Sequence, residues 1–230
     1  MTRDASGLSI ALEGGRHITA MWYGAATETA ANLSVVFAHG AGAGQRHPFI
    51  VGVARRLAEK GIDVWTFNFP YMEARRRAPD KAPVLESTFR SVIDVARRSV
   101  GQPRPLFAGG KSMGGRIATH LAAQGDPLEG VFALGYPLHP PGKPDQLRSA
   151  HLGGIAVPIL IAQGEFDPFG TPSELTPVIA TMRSRVTLEV VPGDDHSLAV
   201  RGQPADRLYD RLAALIADWT TGAAGQRHGR

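Results

Sequence analysis

The 230-residue sequence contains no cysteine. That excludes a disulfide scaffold, a thiolate zinc site, an iron–sulfur cluster and a cysteine nucleophile. Lysine is scarce as well: Lys60, Lys81, Lys111 and Lys143 are the only ones among 25 basic residues, which leaves 21 arginines. Against 21 acidic residues the net charge is +4. The two signs are interspersed along most segments, the pattern of an ordinary solvated surface and not of a nucleic-acid stripe. Long apolar runs are also missing. No stretch approaches the roughly 18 uncharged apolar residues of a membrane helix, and the apolar pattern before Glu13 is shorter than the ~7–15-residue core of a signal peptide. The expectation is a cytoplasmic protein with no nucleic-acid partner and no membrane association. Composition leaves the oligomeric state open.

What is present is glycine, 27 residues, and proline, 17, within a chain that is 43% hydrophobic. The combined Gly and Pro share stays below the roughly 25–30% of low-complexity sequence, and the length suits one domain with a substantial core. Short apolar runs recur at 34–40, 62–70, 105–110, 130–137, 157–164 and 186–193, each ended by Gly or Pro. Their branched and aromatic content suits strands buried on both faces. Helical patterns lie between them. Leu85, Phe89, Val92, Ala96 and Val100 share one stripe of 84–100, and Leu208, Leu212, Leu215 and Trp219 one stripe of 205–219. Further helices are expected at 48–60, 113–124 and 173–182. LSIAL and HITAMWY, joined by EGGR, read as an antiparallel hairpin at a sheet edge. The alternation predicts an α/β domain spanning 1–221, with a mostly parallel sheet of about eight strands and helices on both faces. Residues 222–230 read as a flexible tail.

In such a sheet the chemistry lies beyond the carboxyl ends of the strands. After the run at 105–110 comes GKSMG, residues 110–114, a G-x-S-x-G pattern between strand and helix. It places Ser112 on a sharp turn with a helix N-terminus behind it, where negative charge is stabilised. A phosphate-binding P-loop would need glycine at 105, which is Pro105. A nucleophilic serine needs an acid and then a histidine later in the chain. Asp167 follows the run at 157–164, with Glu165 as the alternative carboxylate in the same turn, and His196 follows the run at 186–193. The oxyanion hole takes one backbone N–H from Met113 and one from the loop His39-Gly40-Ala41-Gly42-Ala43-Gly44, for which Ala41 is the choice and Gly42 the next. A dinucleotide fingerprint in that loop fails on spacing, since Gln45 and His47 occupy the positions that need glycine. No HExxH or comparable ligand set is present, so neither a metal nor a cofactor is expected.

HGAGAG, FNFPYMEARRRAPD, GGKSMGGR, YPLHPPGKPDQLR, QGEFDPFG and DDHSL together span nearly the whole domain. Through them the chain resembles the α/β-hydrolase superfamily, and within it the group of testis-expressed protein 30 and the hydrolase-like domain of NSL-complex subunit 3. Members are often labelled dienelactone-hydrolase-like, although that enzyme uses a cysteine nucleophile. The resemblance implies a single hydrolase domain without a cap, and a polar or basic residue where this chain has Phe166. It also carries an alternative, because some members act as scaffolds: a hydrolase-fold binding protein with little turnover.

The span from Pro137 to Ala156, where many hydrolases insert a lid, is short and holds four prolines. It predicts an open site suited to a small or solvent-accessible carboxylic ester. Tyr71, His139 and Arg76 are candidate substrate contacts, with Arg75–Arg77 read either as a solvated helix start or as a site for an acidic substrate.

Overall fold

The computed structural model describes residues 5–26, 31–99, 104–200 and 202–225. The chain begins with the expected hairpin, β1 (Ser6–Ala11) and β2 (His17–Tyr23), which pair antiparallel from Ser6 opposite Trp22 to Ala11 opposite His17. Then follow β3 (Ser34–Ala38), α1 (Pro48–Glu59), β4 (Asp63–Phe67), a four-residue α2 (Pro70–Glu73), α3 (Ala82–Ser99), β5 (Leu106–Lys111) and α4 (Met113–Ala123). The second half adds β6 (Gly130–Leu134), β7 (Ile159–Gly164), α5 (Pro172–Ala180), β8 (Val186–Val191) and α6 (Ala205–Gly225). The strands form one eight-stranded sheet in the order β1-β2-β4-β3-β5-β6-β7-β8. β2 is antiparallel to β4, and every pairing from β4 through β8 is parallel.

Strands β3 to β7 are buried on both faces. Alternate residues therefore feed two cores: Val36 and Ala38 pack with Leu85, Phe89 and Ile117 of α3 and α4, while Val35 and Phe37 pack with Phe49, Ile50 and Leu212 of α1 and α6. This is a single α/β domain whose helices flank one sheet, without a large cap.

Three expectations need correction. The run at 186–193 is not buried on both faces: β8 ends the sheet, and Thr187, Glu189 and Val190 are exposed. Helix α6 continues through Gly225, past the start of the tail expected at 222–230, because Thr220 and Ala223 are buried against the second core. Residues 226–230 lie outside the described residues, as does Val100 of the α3 stripe. The helix α2, opened by Pro70 where a run was expected to end, had no counterpart in the sequence reading.

Candidate active site

Parallel strands bring their carboxyl ends to one edge, and the residues that follow β3, β5, β7 and β8 meet there. Ser112 joins β5 directly to α4 with φ of 51° and ψ of −116°, a left-handed backbone that few non-glycine residues adopt. The glycines around it make the turn possible. A Cβ on Gly110 would stand 2.6 Å from Ala38 O, and a Cβ on Gly114 also 2.6 Å from that oxygen, so the elbow tolerates no side chain against the end of β3. The Ser112 N–H donates to Leu134 O at 2.9 Å, fastening the turn to β6.

His196 Nε2 lies 2.8 Å from Ser112 Oγ, and His196 Nδ1 lies 2.8 Å from Asp167 Oδ2. Asp167 is only 1% exposed. Its Oδ1 accepts from the Phe169 N–H at 2.8 Å, and its Oδ2 accepts from Gln163 Nε2 at 2.8 Å as well as from the imidazole. A carboxylate with that set of donors holds the proton on Nδ1, which leaves Nε2 as the acceptor for the serine hydroxyl. The Phe169 ring lies against the imidazole at a centroid distance of 4.2 Å. Glu165, the alternative acid, instead points to solvent and accepts from the Gly193 N–H at 2.7 Å. Phe166 is 65% exposed and outside the cleft, so it does not shape the pocket near the acid.

Two further side chains brace the surroundings of Ser112, Asp167 and His196. Lys111 Nζ donates to His196 O at 2.5 Å. Burial pushes this ammonium down to about 8, while Asp167, Asp194 and Asp195 pull in the opposite direction. Gln163, fully buried on β7, is the second: besides Asp167 its amide donates to Gly170 O at 2.7 Å, and its Oε1 accepts from the Tyr136 N–H at 2.7 Å.

The loop after β3 is braced from behind. His39 is fully buried, and burial pushes its pKa down to about 4. As the neutral ring it donates from Nδ1 to Gly40 O at 2.8 Å and accepts the Phe69 N–H on Nε2 at 3.2 Å. The Tyr71 hydroxyl donates to Ala41 O at 2.9 Å. In a trans peptide the C=O and the following N–H point opposite ways. Drawing the carbonyls of Gly40 and Ala41 inward therefore turns the N–H groups of Ala41 and Gly42 outward, away from His39 and Tyr71. Ala41, Gly42, Ser112 and Met113 all line one cleft of about 660 Å³, whose walls include Leu85, Arg116, Arg148 and Phe169.

Of the expected substrate contacts, only Gly42 borders that cleft. Tyr71 is fully buried and supports the loop from within. Arg76 is drawn off to Asp80 at 2.5 Å, four residues on in the loop between α2 and α3, and Arg75 to Arg77 are exposed outside the cleft. His139 is buried beside its own loop, with Nδ1 2.9 Å from Pro140 O and Nε2 3.4 Å from Glu174 Oε1. The 137–156 span contains no α-helix, only a short 3-10 turn at Leu152–Gly154, and sends Pro137 and Arg148 to the cleft wall. The sequence reading assigned no role to Gln163, Lys111, His39, Arg116 or Arg148. All five do sit inside the motifs quoted above, Lys111 one residue before Ser112 and Gln163 four before Asp167, which is the only signal they carried.

A serine on a strand-to-helix elbow, met by a carboxylate and an imidazole from two later strands of an open parallel sheet, defines an α/β-hydrolase-fold protein. The chain belongs to the alpha/beta hydrolase domain family, whose model matches residues 31–221. Solved structures agree on the fold. A lidless α/β serine hydrolase from Xanthomonas campestris is 16% identical, with a TM-score of 0.72 over 98% of this chain and 96% of its own. An α/β serine hydrolase homologue from Coxiella burnetii (18%, TM-score 0.75, 95% and 97% covered) and a dienelactone hydrolase from Anabaena variabilis (18%, 0.74, 95% and 96%) are similar to the same extent.

Proposed function

We propose that the protein is a serine hydrolase that cleaves a small, solvent-accessible carboxylic ester through an acyl-enzyme, and that it falls within the narrower group its motifs resemble. The observation that carries this reading is the continuous hydrogen-bonded chain from Ser112 Oγ through His196 to the buried Asp167, with both links at 2.8 Å. The serine-hydrolase and esterase descriptions of the solved neighbours are consistent with it.

In this mechanism Ser112 Oγ attacks the ester carbonyl while His196 Nε2 takes its proton. Asp167 holds the Nδ1–H tautomer and stabilises the imidazolium. The N–H groups of Met113 and Ala41 bind the oxyanion, with the N-terminal end of α4 adding favourable potential. The imidazolium then protonates the departing alkoxide. A water molecule, deprotonated by His196 in turn, attacks the acyl carbonyl and releases Ser112.

A fluorophosphonate probe is expected to label the wild-type protein at Ser112. Ser112→Ala and His196→Ala should abolish both labelling and p-nitrophenyl ester hydrolysis while leaving the circular dichroism spectrum intact. Folded wild-type protein that takes up no label would refute the reading.

A further inference from the structure

The cleft holds more positive charge than acyl transfer uses. Arg116 lies one helical turn beyond Ser112, its N–H donating to Ser112 O at 3.1 Å. Arg148 is set by its backbone: its N–H donates to Leu138 O at 2.7 Å, and its own carbonyl accepts from the Tyr136 hydroxyl at 2.7 Å. Both side chains are half-buried and line the cleft that contains Ser112.

Among the described residues, Arg56, Arg76, Arg90 and Arg104 each meet a carboxylate, whereas no ion pair includes Arg116 or Arg148. The carboxylates that border the cleft are engaged elsewhere. Asp80 accepts from Arg76 and from the Tyr71 N–H at 2.9 Å, and Asp195 accepts from the Ser197 N–H at 2.7 Å. Burial lowers the pKa of Arg116 and the charge of Arg148 adds to this, while Tyr136 and Glu86 pull the other way without making an ion pair with it. Two half-buried guanidinium groups that no carboxylate meets in an ion pair are stabilised by an anion that enters between them.

We propose that Arg116 and Arg148 form a recognition site for a free carboxylate on the substrate, so that the preferred ester is a half-ester or another ester bearing one carboxylate near the scissile bond. This deepens the hydrolase reading and rests on it for turnover, though not for binding. A guanidinium offers paired N–H donors that match a carboxylate edge to edge, and Leu85 and Phe169 supply apolar wall for the carbon chain between the two ends.

The test compares kcat/KM for the p-nitrophenyl half-ester of glutaric acid with that for p-nitrophenyl valerate, which has the same chain length. A second pair, 4-acetoxybenzoate and phenyl acetate, moves the carboxylate to the leaving group. In the wild type the charged member of at least one pair is expected to be favoured by about 10- to 100-fold at low salt, with the advantage shrinking as salt rises. Arg116→Met and Arg148→Met should bring the ratio toward one, and Arg116→Lys should keep part of it. Glutarate should bind Ser112→Ala by calorimetry, glutaramide should not, and adding Arg116→Met should remove glutarate binding. Neutral esters equal to charged ones in both pairs, a preference that survives both methionine variants, or glutarate failing to bind Ser112→Ala would each overturn the carboxylate site while ester turnover left the hydrolase intact. No turnover of any ester, together with glutarate binding that needs both arginines, would remove the hydrolase reading and keep the anion site.

Discussion

Replacing Gln163 with leucine isolates the support beneath the acid from the acid itself. The side chain is fully buried, and its removal strips three groups at once. The Tyr136 N–H loses its acceptor at 2.7 Å, Gly170 O loses its donor at 2.7 Å, and Asp167 Oδ2 keeps only the imidazole. Each buried backbone group left unsatisfied costs about 1–3 kcal/mol. Leucine recovers about 1 kcal/mol through apolar burial, so the net loss should be roughly 1–5 kcal/mol, with about 3 as the centre of that range. For a domain of this size 1 kcal/mol moves Tm by about 2–4 °C, which predicts a Tm lower by roughly 5–15 °C. Loss of one hydrogen bond to the Asp167 carboxylate, worth about 1.5–3 kcal/mol, should also reduce kcat by roughly 10- to 100-fold with KM little changed, since Gln163 does not line the cleft. Thermal unfolding followed by circular dichroism and a p-nitrophenyl ester assay read the two effects separately. A Tm within 2 °C of wild type combined with an unchanged kcat would refute the argument that Gln163 sets the acid.

Gly164→Ala should act on the same apparatus by collision: its Cβ would stand 2.2 Å from Asp195 O, so the histidine loop must shift. Destabilisation of about 1–3 kcal/mol and a kcat loss on the order of 100-fold are expected in denaturant melts and steady-state assays; wild-type kcat in a folded variant would contradict this. Acid should weaken the fold through His39. Its folded pKa of about 4 lies below the ordinary 6.5, so between those values the unfolded chain takes up a proton that the native ring refuses. Stability is whole above about pH 6.5, declines as pH falls, and has lost about 3 kcal/mol from this ring once pH passes below 4. His151, pushed down to about 4 by burial and then by the neighbouring charges of His120 and Arg116, acts in the same sense. Urea melts from pH 7 to 4 should show a shallower decline in His39→Asn than in wild type, and equal slopes would exclude the contribution.

The parts of this molecule that sequence made legible are those where one residue type at one place suffices. Ser112, Asp167 and His196 each follow an apolar run that ends in small or turn-forming residues, and the rule that ligands sit beyond strand ends converts that into position. Burial of β8 differs from the expectation because VTLEVV has the branched residues of a central strand, and only the strand order shows that it ends the sheet among the described residues. The start of the expected tail, GAAG at 222–225, carries little apolar signal because its residues are small, yet Ala223 is buried against the second core. The acidic-substrate reading was attached to Arg75–Arg77 because they are adjacent in sequence. The arginines that reach the cleft, Arg116 and Arg148, are 32 residues apart in the chain and meet only through the fold. Gln163 and His39 carried no signal of their roles for a related reason: each also accepts from a backbone N–H far away in the chain, Tyr136 for Gln163 and Phe69 for His39, which no local pattern announces.

The place of β8 at the rim of the sheet sets the order in which the protein can fail. Among the described residues no strand pairs with its free edge, so the segment that carries His196 is held on one side by β7 and beyond that by Lys111 and by the Phe166 N–H, which donates to Asp194 O. Ser112, by contrast, grows from the middle of the sheet, with strands paired on both sides of β5. Local opening follows the number of such supports. The imidazole is thus mounted on a part of the molecule that can come loose while Ser112 stays in place, and warming should part His196 from Ser112 before the rest of the domain gives way.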